Sequence, residues 1–562
     1  MMTGAKQTLN KYDRIRTYIE RFRSEGHAPA DVHAMDALIS GDADYTVFYH
    51  LTSLRRALLN WYPFRKTGRA LDAGAGCGAL TGFLTEVFDR VDAVETDPVC
   101  AEILRERYAE IPGLRVFCRD LRGLSALPET DGHPDGTDRD GYDLILLNDV
   151  LDRGRDDAAA MIRTLAGLLA PDGTLLIGFR NREAVRYACG ALDPFVTGPY
   201  RTERLFSPGE LLDAAAPRFT EMRIYGAMPE VSFIQAVYTD DFLPEYSIRD
   251  RVFPFDAFDS PLTEDERSLY DGLVRDRTLP ERANYILLEC RGLRTAGNGM
   301  PGSGGSAPAA PVFSGPDRKV IHAALSTDRG PAESFATILY SDGTAEKKAL
   351  YPAGIPTLRR AFEHLEELKR QGIPTAEGIW EESERPGGAR CASVRMPLIR
   401  EQQLMDHLAE LVRLRDRSAF TAVFTALRKN ALRASGPALR EDGSPAPAAF
   451  APEVFAGRPV LSRGFPDMIP YNAFRSGDGL RYYDQEFLLE NCPLDYILFR
   501  AIRYTYIHIP EAEQLLPIEE LKAFFGLTPA VWDACMDREN AFVNANRHTQ
   551  LYPQVYRWSV YA

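Results

Sequence analysis

From about residue 69 the chain alternates short apolar runs with stretches of helical spacing, and this rhythm constrains the fold more than any other feature. The runs "RALDAG", "VDAVET", "LRVFCRD", "YDLILLND" and "GTLLIGF" read as strands. Between them "GALTGFLTEVFD", "PVCAEILRERYAE" and "DDAAAMIRTLAGLLAPDG" place apolar residues on one helical face. Strands that alternate with helices imply right-handed crossovers and a parallel sheet covered on both faces. A ligand crevice is then expected at the carboxyl ends of the strands.

At 562 residues the chain is too long for one core. The segment "TAGNGMPGSGGSAPAAP" (295–311) lacks large apolar residues and reads as a flexible linker between two halves. We expect an N-terminal helical segment over 1–68, a Rossmann-like α/β domain over 69–294, and an α+β domain over 312–562. Segments 129–141 and 434–452 have linker-like composition and read as surface insertions. A net charge of −14 argues against a general nucleic-acid binder. No apolar run is long enough for a membrane span and no secretory leader is visible, so a cytoplasmic location is expected. The eight cysteines form no CxxC pair and read as buried reduced thiols.

"ALDAGAGCG" (70–78) ends the first strand with Asp72 and follows it with Gly74, Gly76 and Gly78, residues that let the backbone turn tightly and approach a ligand. Glu95 ends the second strand, where a carboxylate can accept two ribose hydroxyls. Asp120 follows the third, and Asn148 and Asp149 end the fourth. A dinucleotide-binding Rossmann domain shares the Gly-rich turn and is the competing reading. The series resembles the class I S-adenosylmethionine-dependent methyltransferases, and "LLAPDGTLLIGF" resembles their segment before the fifth strand. That resemblance implies that Asp72 and Gly74 flank the methionine part, Glu95 holds the ribose, Asp120 the adenine, and Gly76, Gly78 and Asn148 lie in the cofactor site. Asp149 and Asp152 are the nearest candidates for a base, which a hydroxyl acceptor needs and a phosphate acceptor does not.

Residues 49–64 and 179–198, with "RLFSPGELLDAA" and "VYTDDFLPEY", resemble bacterial methyltransferases of surface-polysaccharide and O-antigen loci. Asn181, Arg182, Arg186, Tyr187 and Gly190 carry that likeness, as substrate contacts or as a loop cap. The implied acceptor is a glycan, a glycan phosphate or another small molecule, with polysaccharide-assembly enzymes as partners and no nucleic acid.

In the second half, residues 333–352 read as two strands joined by the turn Ser341, Asp342, Gly343, followed by a helix carrying Leu358, Phe362, Leu365 and Leu368 on one face. "RGFPDMIPYNAFRSGDGLRYYDQE" (463–486) then spaces Asp467, Asn472 and Asp484 as protein kinases and aminoglycoside phosphotransferases space their catalytic and metal-binding residues. This half therefore resembles a kinase-like domain. The resemblance implies Asp467 as the residue that orients an acceptor hydroxyl, and Asn472 and Asp484 as ligands of Mg²⁺ on ATP. Lys348 is the nucleotide lysine, with Lys347 the alternative and Glu363 the helix partner. Phe465 departs from the usual His, and no glycine-rich phosphate loop precedes the strands. A bifunctional methyltransferase/kinase is the leading expectation. A methyltransferase with an inactive pseudokinase module, or a non-catalytic scaffold, are the alternatives.

Overall fold

The computed structural model describes residues 11–28, 31–124, 141–192, 201–244, 248, 249, 252, 254, 256, 260–294, 318–477, 479–547 and 551. The segment 295–311 expected as a linker, and residues 129–140 of the first expected insertion, lie outside them.

Three helices open the described chain: α1 (Lys11–Ser24), α2 (Val32–Ile39) and α3 (Tyr45–Leu51). α1 buries Ile15, Ile19 and Phe22, spaced to share one face. Asp31 and Asp44 start α2 and α3 by accepting backbone N–H groups of Ala34 and Thr46. The alternating region follows with β1 (Arg69–Ala73), α4 (Thr81–Val87), β2 (Arg90–Glu95), α5 (Pro98–Arg107), β3 (Leu114–Cys118), β4 (Tyr142–Asn148) and β5 (Leu169–Arg180). β1 pairs in parallel with β2 and β4, β2 with β3, and β4 with β5. β4 is apolar almost throughout because a central parallel strand is covered on both faces. Next come β6 (Phe219–Glu230), β7 (Phe233–Tyr238) and β8 (Tyr285–Leu293), and β8 inserts antiparallel between β5 and β6.

The second half begins with β9 (Val320–Leu325), β10 (Phe335–Tyr340) and β11 (Thr344–Ala349), then the helix Ile355–Arg370, β12 (Ile379–Glu384) and β13 (Arg390–Pro397). These strands do not form a sheet of their own. β9 pairs antiparallel with β7, so all thirteen strands make one sheet in the order β12-β13-β11-β10-β9-β7-β6-β8-β5-β4-β1-β2-β3. The apolar packing is continuous too: Val320, Ala336, Ile338 and Tyr351 belong to the same buried cluster as Ile15, Leu58 and Phe83. A chain expected to divide at its low-complexity segment thus joins its halves edge to edge, which also covers the unpaired edge that β7 would expose. Beyond the sheet the helices Leu404–Leu414, Arg417–Ala434, Leu494–His508 and Pro529–Ala545 build a second core around Phe420, Phe424, Phe465 and Tyr482. After Ala434 closes its helix, residues 435–452 are loop with the bridges Pro437↔Leu461 and Leu439↔Pro445, in keeping with their composition. Among the described residues no helix is long and apolar enough to cross a membrane.

Candidate active site

A cavity of about 770 Å³ lies beyond the carboxyl ends of β1, β2 and β4. Asp72, Gly74, Gly76, Glu95, Asp120, Asn148 and Asp149 all line it. Glu95 organises the floor: its Oε2 accepts the Gly76 N–H at 2.7 Å and its Oε1 accepts the Asp97 N–H at 2.9 Å. One carboxylate thereby ties the Gly-rich turn to the start of α5; Oε1 also accepts the Thr96 hydroxyl at 3.3 Å, and Oε2 keeps a lone pair beyond its bond to Gly76. Asp72 is buried and accepts the Thr81 hydroxyl at 2.6 Å. Burial pushes its carboxyl up to about 6, against the opposing pull of that hydrogen bond. The glycines divide by role. Gly76, at φ +56°, faces the cavity, whereas a Cβ on Gly78 would stand 2.4 Å from Leu104 and 2.7 Å from Tyr108. Gly78 therefore serves helix packing rather than ligand approach. Asp120 is exposed on the cavity wall and its Oδ1 accepts the Arg122 N–H at 2.9 Å.

On the opposite wall Asn148 accepts the Tyr285 hydroxyl at 2.8 Å. Asp149 follows at φ +55°, a strained conformation for a non-glycine residue that turns its carboxylate into the cavity. Its Oδ2 accepts the Tyr49 hydroxyl at 2.5 Å, with Arg55 Nη1 at 4.0 Å and Arg180 Nε 3.7 Å from Oδ1. Burial, with Asp149 beside it, holds the Tyr49 phenol well above the usual tyrosine range, so it stays a donor. Tyr49, Arg55 and Arg180 carried no role in the sequence reading. The charged pair in "LRRALL" sits in an amphipathic segment, and only the packing of residues 45–58 against the sheet directs Arg55 inward.

Asp152 is occupied structurally: it accepts Gly154 N–H at 2.9 Å and two nitrogens of Arg204. Asn181 is fully buried and caps a loop, donating to the Glu281 and Ala283 carbonyls at 2.6 and 3.0 Å and accepting Glu183 N–H at 2.9 Å. Arg182 pairs with Glu210, and Arg186 N–H donates to Asn284. These contacts favour the loop-cap reading of that segment over substrate contact. The cysteines form no disulfide, but Cys118 is exposed and Cys391 half-buried, so the expectation of burial fails for those two.

The second-half residues Asp467, Asn472 and Asp484 do come together, and Lys347 reaches them. Its Nζ pairs with Asp484 and lies 2.5 Å from Glu486. Burial alone would lower the Lys347 pKa, but the two carboxylates raise it. The choice of Lys348 is corrected: alternation along β11 sends it to the other side, where Nζ donates to the Asn60 carbonyl at 3.1 Å and burial lowers it to about 8. The expected partner Glu363 is exposed. The next residue, His364, turns inward instead, its Nδ1 2.9 Å from the Gln485 carbonyl and its ring edge-on to Phe465.

Asp467 is fully engaged. Oδ1 accepts Arg500 Nη1 at 2.9 Å, and Oδ2 accepts the Glu486 and Phe487 N–H groups at 3.1 and 3.2 Å. Arg500 is in turn held by Glu539 at 3.0 Å, and Glu486 by Arg329 at 2.8 Å. Asn472 Nδ2 donates to the Asp467 and Asp484 carbonyls at 3.3 Å each. As arranged, this donor set does not fit Mg²⁺ and ATP: the lysine and both carboxylates answer one another, and Asp467 presents no oxygen to an acceptor.

The family profile described as "Methyltransferase domain" matches residues 71–175, from β1 into β5. No curated protein matches the sequence. Among solved structures the chain is similar to phosphoethanolamine N-methyltransferase 1 of Haemonchus contortus, at 14% identity over 52% of this chain and 51% of that one, TM-score 0.28. It is also similar to the N-methyltransferase NodS of Bradyrhizobium japonicum, at 16% identity over 40% and 93% of the two chains, TM-score 0.25. A methyltransferase of Thermotoga maritima, described as a possible histamine N-methyltransferase, gives 19% identity over 49% and 99%, TM-score 0.26. At such identities and scores these likenesses carry no functional inference. The profile match spans the strands and turns that build the cavity. The first half of the chain carries a class I, S-adenosylmethionine-dependent methyltransferase domain.

Proposed function

We propose that the protein transfers a methyl group from S-adenosylmethionine to a glycan, a glycan phosphate or another small-molecule acceptor in surface-polysaccharide synthesis. The observation that supports the cofactor assignment is Glu95, bridging the Gly76 and Asp97 amides in a cavity that Asp72 and Asp120 also line. In this reading Glu95 binds the ribose diol, Asp120 the adenine edge, and Asp72 and the Gly-rich turn the amino-acid end. The cofactor supplies an activated methyl on a sulfonium sulfur, so positioning of the acceptor contributes most of the rate. Asp149, oriented by Tyr49, takes the proton of a hydroxyl acceptor as the new C–O bond forms.

The order of elements after residue 318 supports a kinase-like second half, and its closed charge cluster supports the pseudokinase reading rather than ATP-dependent phosphotransfer. We accordingly assign residues 318–547 a structural and interaction role, in contact with the methyltransferase through β7 and β9. Calorimetric titration with S-adenosylhomocysteine tests the first assignment. Binding should be tight in the wild type and lost in Asp72→Ala and Glu95→Ala; wild-type protein that binds none sinks the proposal. For the second half, a thermal shift with millimolar ATP and Mg²⁺ that disappears in Asp484→Ala would restore the phosphotransfer reading.

A further inference from the structure

The wall of the cavity beside Asp149 holds a buried arginine, Arg55, two of whose nitrogens make no hydrogen bond among the described residues. The Arg55 side chain is 2% exposed and lines the cavity. Its Nε and Nη1 are buried and make no hydrogen bond among the described residues. Its guanidinium lies 3.9 Å above the Tyr49 ring, which accounts for one face of the plane but not for its N–H edge. Asp149 is the nearest carboxylate, yet 4.0 Å from Nη1 is beyond hydrogen-bond reach, and Asp149 Oδ1 also has no hydrogen-bond partner. Arg180 approaches the same carboxylate at 3.7 Å. Asp149 thus lies between two guanidinium groups, while the Nε and Nη1 donors of Arg55 stay unbonded among the described residues. Buried arginines are ordinarily held by hydrogen-bonded carboxylates, as Arg500 is in this chain by Asp467 and Glu539. The exposed arginines at the rim do not share this character: Arg122 is satisfied by Asp156, and Arg155 lies beside Asp152.

We propose that Arg55, together with Arg180, is an oxyanion clamp, and that the methyl acceptor carries a phosphoryl or carboxylate group anchored there. The planar fork of a guanidinium suits either oxyanion, with two parallel N–H donors. Tyr49 stacks under the fork and fixes its plane, and Asp149 sets the side from which the anion enters. The anchored group is a handle and not the atom that is methylated, so this assignment adds no bond-making step to the reaction. It rests on the methyltransferase reading and names the acceptor class of that same cavity.

The test uses the full-length protein saturated with S-adenosylhomocysteine and titrated with inorganic phosphate or with acetate at constant ionic strength. Saturable binding of at least one anion is expected. Arg55→Gln should weaken it at least tenfold and Arg180→Gln several-fold, with S-adenosylhomocysteine affinity unchanged within about twofold. Preference for phosphate identifies a phosphoryl handle, and preference for acetate a carboxylate. If wild-type protein binds S-adenosylhomocysteine but neither anion, or Arg55→Gln binds both as well as wild type, the clamp is overturned while the methyltransferase assignment stands. If wild type binds no S-adenosylhomocysteine, the underlying reading fails instead. Should Arg55→Gln not fold, the wild-type titration and Arg180→Gln decide the matter: both must behave as stated.

Discussion

The two polar centres of this chain are assembled from similar materials and end in opposite states. Each gathers acids at the ends of strands, beside arginines and at a residue of positive φ, Asp149 in one and Asp484 in the other. In the first centre the groups line a wide cavity, and Arg55 and Asp149 stand close without bonding. In the second, two sets of ion pairs, Asp484–Lys347–Glu486–Arg329 and Asp467–Arg500–Glu539, are joined by the Glu486 and Phe487 N–H groups that donate to Asp467. The difference teaches that residue types alone do not make a reactive site. What matters is whether the fold leaves their hydrogen-bonding capacity open to a ligand or uses it internally.

That contrast can be broken most forcefully at Arg500. Arg500→Ala leaves Asp467 and Glu539 buried without their cation and should cost about 3–5 kcal/mol of stability in urea unfolding. A stable Arg500→Ala protein would mean that the second centre is not closed.

Asp72 tests the first centre through pH. Its folded carboxyl titrates near 6, against 3.8 for the ordinary group, so the native state keeps a proton that the unfolded chain releases. Stability should therefore fall as pH rises from about 4 to 6, with a full cost of roughly 3 kcal/mol above that window. Asp72→Asn should remove this fall, and parallel stability profiles for the two proteins would refute the burial argument.

A smaller effect is expected at Glu95. Glu95→Gln keeps the shape but weakens a charged acceptor, and S-adenosylhomocysteine affinity should drop about tenfold, equivalent to about 1.4 kcal/mol. An unchanged dissociation constant would remove Glu95 from the ribose role.

The smallest effect separates the neighbouring lysines. Lys348→Met removes a charge that burial disfavours and leaves only the Asn60 carbonyl without its donor, so any loss of stability at neutral pH should stay below about 1 kcal/mol. Lys347→Met should be several times more damaging, because it strands Asp484 and Glu486. Equal losses in the two variants would show that β11 does not sort its lysines by face.

The parallel strands β1 to β5 were legible because each is a continuous apolar run bounded by glycine, aspartate or a helix cap such as Asp97. The polar residues of the cavity wall were legible for the same reason, since Asp72, Glu95, Asn148 and Asp149 sit at or just past strand ends. The second half was legible as an order of elements and not as chemistry. Period-two alternation puts Lys347 and Lys348 on opposite faces of β11 but cannot say which face meets the cluster, because that depends on what packs against each face. Nor did any local pattern mark Arg55, Tyr49 or Arg180, which meet at Asp149 from positions more than ninety residues apart in the first two cases and about thirty in the third.

By itself the sequence determined the alternating α/β half, the acids at its strand ends, and the approach of Asp467, Asn472 and Asp484 in one loop region. These follow from periodicity and turn chemistry, which act over a few residues. Only the tertiary structure decided that β7 and β9 join both halves into one sheet, that Arg500 closes the second centre, and that Arg55 stands beside Asp149 in the first without a hydrogen bond to it. Each of those outcomes depends on which charges are desolvated together. Desolvation is a property of packing between distant segments and leaves no mark in local sequence.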